Sequence, residues 1–196
     1  MTYQDLNHRL TAYQPAPRRG YALAVPVVGD GDALSLLFEV RAQDLHTQPG
    51  EVCFPGGGIE PGETAPQAAL RELREELGLT ASLGAALESV RHQAGFSAEP
   101  FLVRPEENWR HHLNPNPDEV QEVFSVPLSW FRTHEPEIYS CRLVTQSPQN
   151  FPDAKLGFPQ GYPWREGHIQ VPVWYFEGHP IWGLTGRVIQ NMVAAL

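Results

Sequence analysis

Cysteine is scarce in this chain: Cys53 and Cys141 are the only two in 196 residues, too few for a disulfide framework. No Cys-x-x-Cys pair or Cys/His cluster marks a zinc site, so a reducing cytoplasm is the expected setting. Long apolar runs are missing too. No stretch approaches the roughly 18 residues that could cross a bilayer. Met1 to Leu10, which includes Asp5, His8 and Arg9, lacks the apolar centre of a secretory leader, so a soluble protein away from membranes is expected. Positive charge is also in short supply. Lys and Arg number 14 against 23 Asp and Glu, a net −9 that opposes binding to nucleic-acid backbones or anionic lipid. Any phosphate handled by such a surface calls for a cation as intermediary.

What is present suits a globule. Apolar residues make up 41% of the chain and charged residues 19%, which excludes the composition of a disordered segment. No internal repeat is visible, and the prolines and glycines punctuate short segments. The expectation is an N-terminal extension over residues 1–19 followed by one domain over residues 20–196. Tyr21 to Val28 and Leu34 to Val40 read as a strand pair around Gly29-Asp30-Gly31-Asp32, and Glu51 to Phe54 as a third strand. Leu83 to Val90, Pro100 to Val103, Val120 to Val126, Ile138 to Val144 and Val171 to Phe176 suggest further strands, with a terminal helix over Leu184 to Leu196. Arg104 to Asp118 and Thr145 to Gly167 read as long loops, equally suited to binding elements and to disorder.

A helix begins after Thr64. Gln67 three residues later completes a capping box, Pro66 sits in the first turn where its missing N–H does no harm, and Gly78 offers the stop. On a helical wheel Ala69, Leu70, Leu73 and Leu77 form the buried stripe. Glu72 and Glu76 lie on the adjoining face, Glu75 borders them, and Arg71 stands four residues before Glu75 in pairing position. Most Glu-rich helices simply present a solvated acidic face. Carboxylates about 6 Å apart, however, repel by about 3 kcal/mol per pair at an effective dielectric near 20, so a partly buried cluster wants a divalent cation. Glutamate oxygens are hard ligands suited to Mg²⁺ or Mn²⁺. The glycines of Phe54-Pro55-Gly56-Gly57-Gly58 would let a ligand or metal approach the main chain.

Gly57, five residues, Glu63, seven residues, then Arg71-Glu72-Leu73-Arg74-Glu75-Glu76-Leu77-Gly78-Leu79 resembles the Nudix box, G-x5-E-x7-R-E-U-x-E-E-x-G-U with U aliphatic. Every fixed position is filled. The resemblance implies an α/β/α sandwich around a central mixed β-sheet, and a diphosphatase in which water attacks a pyrophosphate with the help of Mg²⁺ or Mn²⁺. By position, it makes Glu72 and Glu76 the main metal ligands, Glu75 a further ligand or water-orienting base, and Gly56 a carbonyl ligand. Arg71 would orient a glutamate, and Glu63 would steady the loop. Leu73, Leu77 and Leu79 become packing positions. A homodimer is common in the family, although no stretch of this chain demands one.

Leu37, Arg41, Gly50 and Phe54-Pro55-Gly56-Gly57 also resemble part of the signature of coenzyme A pyrophosphatases, L-L-T-x-R-S-x3-R-x3-G-x3-F-P-G-G. Phe38, Glu39, Ala42 and His46 depart from it. Gly95-Phe96 before Pro100, and Ile181-Trp182-Gly183-Leu184-Thr185 with Arg187, are similar more loosely. The substrate implied is coenzyme A, cleaved to 3′,5′-ADP and 4′-phosphopantetheine. Alternatives are ADP-ribose or another nucleotide sugar, or nucleotide sensing without turnover. Arg41 and Phe54 are candidate substrate contacts, a surface ion pair being the simpler reading of Arg41. Glu119 is a candidate auxiliary ligand or base, an exposed loop acid being its simpler reading. Trp164 and Trp182 could stack an adenine, but tryptophan is more often core. Cys53 reads as a small buried apolar residue. His111-His112 lack the spacing of a metalloprotease.

Overall fold

A computed structural model describes residues 20–92 and 95–196 together with Thr2 and Asp5. The proposed N-terminal extension otherwise lies outside the described residues.

The fold is organised around β1 (Gly20–Val28), whose run of Ala, Leu, Val and Pro suits a strand buried on both faces. β1 pairs in parallel with β7 (Ser97–Pro105), from Gly20 opposite Ser97 to Pro26 opposite Val103. On its other side it meets β2 (Ser35–Arg41) antiparallel, through Val27 and Val28. β3 (Val52–Cys53) and β8 (Val120–Pro127) flank β2, while β5 (Ala81–Ala86) and β6 (Val90–Arg91) pair with β7, all antiparallel. The sheet is therefore mixed, as the resemblance implies.

One sheet face is covered by α1 (Ala65–Leu77), which packs Ala69, Leu73 and Leu77 against Ala22, Ala24 and Leu37. Burying each leucine contributes about 1.5–3 kcal/mol. The opposite face carries Val25, Leu36 and Phe38, covered by Phe131 of α3 (Leu128–Thr133) and by Val188 and Ile189 of α4 (Gly183–Val193). These layers make an α/β/α sandwich. A second, three-stranded sheet follows the order β11 (His179–Ile181), β10 (Gly167–Phe176), β9 (Glu137–Leu143).

Several expectations change in detail. The glycines read as a loop form a short strand, β4 (Gly56–Gly58), because the edge of β1 offers a ladder: Tyr21 faces Gly58, Ala22 faces Gly57 and Leu23 faces Gly56. Leu83 to Val90 breaks into β5 and β6, with a register shift against β7 after Leu83. The long loop after β7 contains a single helical turn, α2 (Trp109–His112), and the loop before β10 holds a 3₁₀ turn at Asp153–Leu156. α3, β11 and the start of β10 have too short or too polar a pattern to declare themselves. Among the described residues no helix is long and apolar enough to cross a membrane.

Candidate active site

α1 carries the acidic residues, and its register is set at both ends. The Thr64 N–H donates to the Gln67 side-chain oxygen at 2.9 Å. At the other end Gly78 adopts φ 70°, the left-handed conformation that favours glycine, and its N–H reaches the Arg74 carbonyl at 2.9 Å. Packing of Leu73 and Leu77 then turns Glu76 inward and Glu75 outward. Glu76 is 4% exposed, whereas the Glu75 side chain is 55% exposed. Glu76 thus belongs to the buried stripe and does not merely border it. The glycine strand beside it explains why: the Gly56 N–H donates to Glu76 Oε2 at 2.8 Å. Glu72 lies against the same strand, where a Cβ on Gly57 would come within 2.3 Å of Glu72 Oε1. A larger residue there would push the Glu72 carboxylate aside.

Arg71 fastens the outer carboxylates. It donates to both oxygens of Glu63 at 3.0 and 3.1 Å, to Glu72 at 2.7 Å, to Glu75 at 2.8 Å and to the Gly58 carbonyl at 3.0 Å. One planar guanidinium therefore ties helix, loop and strand together. Its hydrogen bonds hold the Glu63 carboxyl below the usual carboxylate range. The Glu63 Oε2 atom also accepts the Glu60 N–H at 3.1 Å, which steadies the turn before α1.

Inside the sheet the electrostatics reverse. Burial, reinforced by the neighbouring Glu39, pushes the Glu76 carboxyl up to about 9. Glu39, from β2, is 1% exposed and is pushed up to about 7 by burial against the partial relief of the Cys53 thiol, which donates to Oε1 at 3.3 Å. Its Oε2 has no hydrogen-bond partner among the described residues. Glu72 is raised as well, chiefly by burial. A cluster of buried carboxylates, one with an orphaned oxygen, is what a hard divalent cation relieves. The donor set fits Mg²⁺ or Mn²⁺. As the side chains stand, no three His, Cys, Asp or Glu among the described residues converge on one point that could hold a metal. Glu72 is engaged by Arg71 and Glu76 by the Gly56 amide, so cation binding requires these carboxylates to reorient.

Glu72, Glu76, Gly56, Glu119 and Arg41 line one cavity of about 630 Å³. Glu75, Glu63 and Arg71 stand outside it on the helix flank. Glu119 departs from the reading of an exposed loop acid. It is half-buried because the adjacent Val120 is anchored in β8 beside β2, which turns Glu119 toward the cavity. Arg41 makes no ion pair among the described residues; its Nε and Nη2 both donate to the Thr47 carbonyl at 3.3 Å, bracing the loop beyond β2. Phe54 borders the cavity, but its ring is buried and stacks on Phe38 with centroids 4.7 Å apart, which makes it chiefly a packing residue. Trp164 and Trp182 are not core. Trp164 packs on Tyr162 and Phe151 within the exposed 145–167 loop, whereas Trp182, 41% exposed, lines the cavity. Cys53 is half-buried and serves as a hydrogen-bond donor; its thiol is pushed up by burial and by Glu39.

Sequence reasoning gave no site role to Tyr21 or His92, and named Glu39 only as a departure from the coenzyme A signature and Phe96 only within a loose similarity to it. For Glu39 the signal was there. An acid in Leu36-Leu37-Phe38-Glu39-Val40 shares the parity of Leu37, whose side chain faces α1.

Residues 17–143, more than half of the chain, match the family model for the NUDIX domain. The chain is 38% identical over 146 residues to the mouse peroxisomal coenzyme A diphosphatase NUDT7, covering 72% of this chain and 60% of the mouse protein. It is 30% identical over 178 residues to the human mitochondrial coenzyme A diphosphatase NUDT8, covering 86% of this chain and 66% of the human protein. The chain thus spans less than two thirds of the length of either relative. Among solved structures, a MutT/nudix family protein from Enterococcus faecalis matches with TM-score 0.52 at 15% identity, covering 100% of this chain and 68% of the other, a likeness of fold.

Proposed function

This chain belongs to the Nudix family, and from that premise we propose that it is a Mg²⁺- or Mn²⁺-dependent diphosphatase whose substrate is coenzyme A. The observation that carries the reading is the meeting of Glu72 and Glu76 with the Gly56-Gly57 backbone at a 630 Å³ cavity, where Glu119 adds a further carboxylate and Arg41 is the arginine among the described lining residues. When bound, a divalent cation would neutralise phosphoryl oxygens and activate water for attack on the anhydride. The protein supplies the rest. Glu72 and Glu76 would hold the cation, with Gly56 offering its carbonyl. Arg71 keeps Glu72 and Glu75 in register with the glycine strand. Glu75, on the helix flank and paired with Arg71, would accept a proton from the attacking water once released from that pair, and Glu119, which lines the cavity, is the alternative base. Arg41 would meet anionic groups of the substrate, and Phe54 would support the floor.

Coenzyme A is favoured by Leu37, Arg41, Gly50 and the Phe-Pro-Gly-Gly run, and by the names of the mouse and human relatives. One observation favours ADP-ribose or another nucleotide sugar instead: an exposed His46 stands where the coenzyme A signature carries arginine. Chromatography of products separates the two. Coenzyme A should yield 3′,5′-ADP and 4′-phosphopantetheine in the presence of Mg²⁺ or Mn²⁺. Exclusive turnover of ADP-ribose to AMP and ribose 5-phosphate would reverse the assignment, and nucleotide binding with no turnover of either would make the protein a sensor.

A further inference from the structure

A second cavity, of about 620 Å³, opens where β6, β10 and α4 meet, and the proposed chemistry does not use it. Arg91, Arg187, His168, Gln170, Asn191 and Glu88 are among the side chains around it. Arg187 is half-buried, and its Nη1 donates to the Arg91 carbonyl at 3.0 Å, pinning helix to strand. That bond uses one corner of the guanidinium. The remaining N–H groups of Arg187, and the whole guanidinium of Arg91, have no partner among the described residues. Neither arginine pairs with a carboxylate there, although Asp and Glu outnumber Lys and Arg by 23 to 14 in the chain. Like charges sharing a groove repel, and a bound anion turns that repulsion into attraction.

We propose that this groove is a second ligand site, separate from the carboxylate cavity, and that it binds a small hydroxylated phosphomonoester. Forked guanidinium donors match phosphoryl oxygens, and the amides of Gln170 and Asn191 add neutral donors. Glu88, the carboxylate among the described lining residues, can only accept, so it suits a hydroxyl on the carbon skeleton and not a second phosphate. The cavity is far larger than a phosphate ion, which leaves room for that skeleton. Its walls set it apart: among the described residues none lines both cavities. β6 and α4 nevertheless border both, since His92 follows Arg91 directly and, with Phe96, Trp182 and Thr185, lines the carboxylate cavity. The charges have opposite signs. One cavity gathers Glu72, Glu76 and Glu119, the other gathers two arginines, so an anion needs a cation to enter the first and none to enter the second.

Glycerol 3-phosphate and inorganic phosphate serve as probes on the full chain in EDTA, which keeps cations out of the carboxylate cavity. Titration calorimetry should show one equivalent of glycerol 3-phosphate bound, more tightly than inorganic phosphate. Arg91→Gln should weaken it about tenfold or more, the scale of one lost charge-assisted hydrogen bond. Because Arg91 is exposed and its guanidinium ties down nothing among the described residues, this variant keeps the test decisive should Arg187→Gln, which cuts the tether of helix to strand, fail to fold. Arg41→Gln, in the carboxylate cavity, should bind glycerol 3-phosphate as the parent does. Affinity unmoved in Arg91→Gln, affinity lost in Arg41→Gln, or binding no tighter than that of inorganic phosphate would overturn the site. A phosphomonoester carried by a bound substrate is the other source of the same group, and kinetics separate the two. Arg91→Gln should leave the KM for coenzyme A at the parent value; a KM raised for coenzyme A but not for its analogue lacking the 3′-phosphate would make the groove an arm of the substrate site and overturn its independence. Absence of all turnover would overturn the diphosphatase reading alone, since the calorimetry needs no hydrolysis.

Discussion

Glu76 and Glu39 face each other in a place where two negative charges are costly, and this has a consequence for the metal-free protein. Burial holds both carboxyls above the value of an unfolded glutamate, Glu39 to about 7 and Glu76 to about 9. A group whose folded pKa is raised stabilises the fold in its protonated form. That contribution is complete below the unfolded value and is lost as pH rises through the folded ones. In EDTA the melting temperature should therefore fall as pH climbs from about 5 to about 9, and Glu76→Gln should remove much of the decline. Thermal melts across that range check it; a melting temperature equally pH-sensitive in Glu76→Gln would remove Glu76 as the cause. Residues of this kind were only partly legible in the sequence. The box spacing picked out Glu72, Glu75 and Glu76, but the wheel could not show that Glu76 is buried, since that depends on a glycine strand donating an amide to it. Glu39 was noticed only as a departure from a signature, because the partner that gives it meaning is 37 positions away and on another element.

At the scale of elements, the turn from β4 into α1 is where small changes should act most sharply. Gly57→Ala would drive a methyl into the Glu72 carboxylate, 2.3 Å from the ideal Cβ. Activity should fall about a hundredfold or more, on the scale of losing one electrostatic group from a site, while the melting temperature changes little. Gly78→Ala should do the reverse. It forces a side chain into a left-handed C-cap at φ 70° and within 3.0 Å of Asn114 Cβ. It should cost about 1–2 kcal/mol of stability and leave the KM of the folded enzyme near the parent value. Urea denaturation and steady-state kinetics on the two variants distinguish these effects; a kinetic defect confined to Gly78→Ala would contradict the assignment. Local signals made α1 readable, since its cap, stripe and stop all lie within the span from Thr64 to Gly78. β4 was hidden because three glycines carry no strand pattern and pair only because β1 presents an edge. β5 and β6 looked continuous because a register shift leaves no trace in hydropathy.

For the whole molecule, the sandwich sets two faces to different tasks. The α1 face presents carboxylates, and the edge between α4 and the turn before β7 presents rings, so one cavity couples an acidic pole to an aromatic wall. The class of fold came from the resemblance to the Nudix box, the strand pattern itself showing only that strands dominate, while the cavity left no local signal. The cavity is assembled from β1, β2, β3, β4, β7, α1, α4 and connecting loops that are distant in sequence. The net charge of −9 makes a divalent cation the natural partner for an anionic substrate. The most direct measurement is titration of metal-stripped protein with Mn²⁺ by electron paramagnetic resonance, run beside a hydrolysis assay on the same samples. Mn²⁺ should bind the parent chain and switch on hydrolysis in parallel, and Glu72→Gln and Glu76→Gln should each lose both while remaining folded by circular dichroism. Mn²⁺ binding and turnover undiminished in Glu76→Gln and Glu72→Gln would contradict the account.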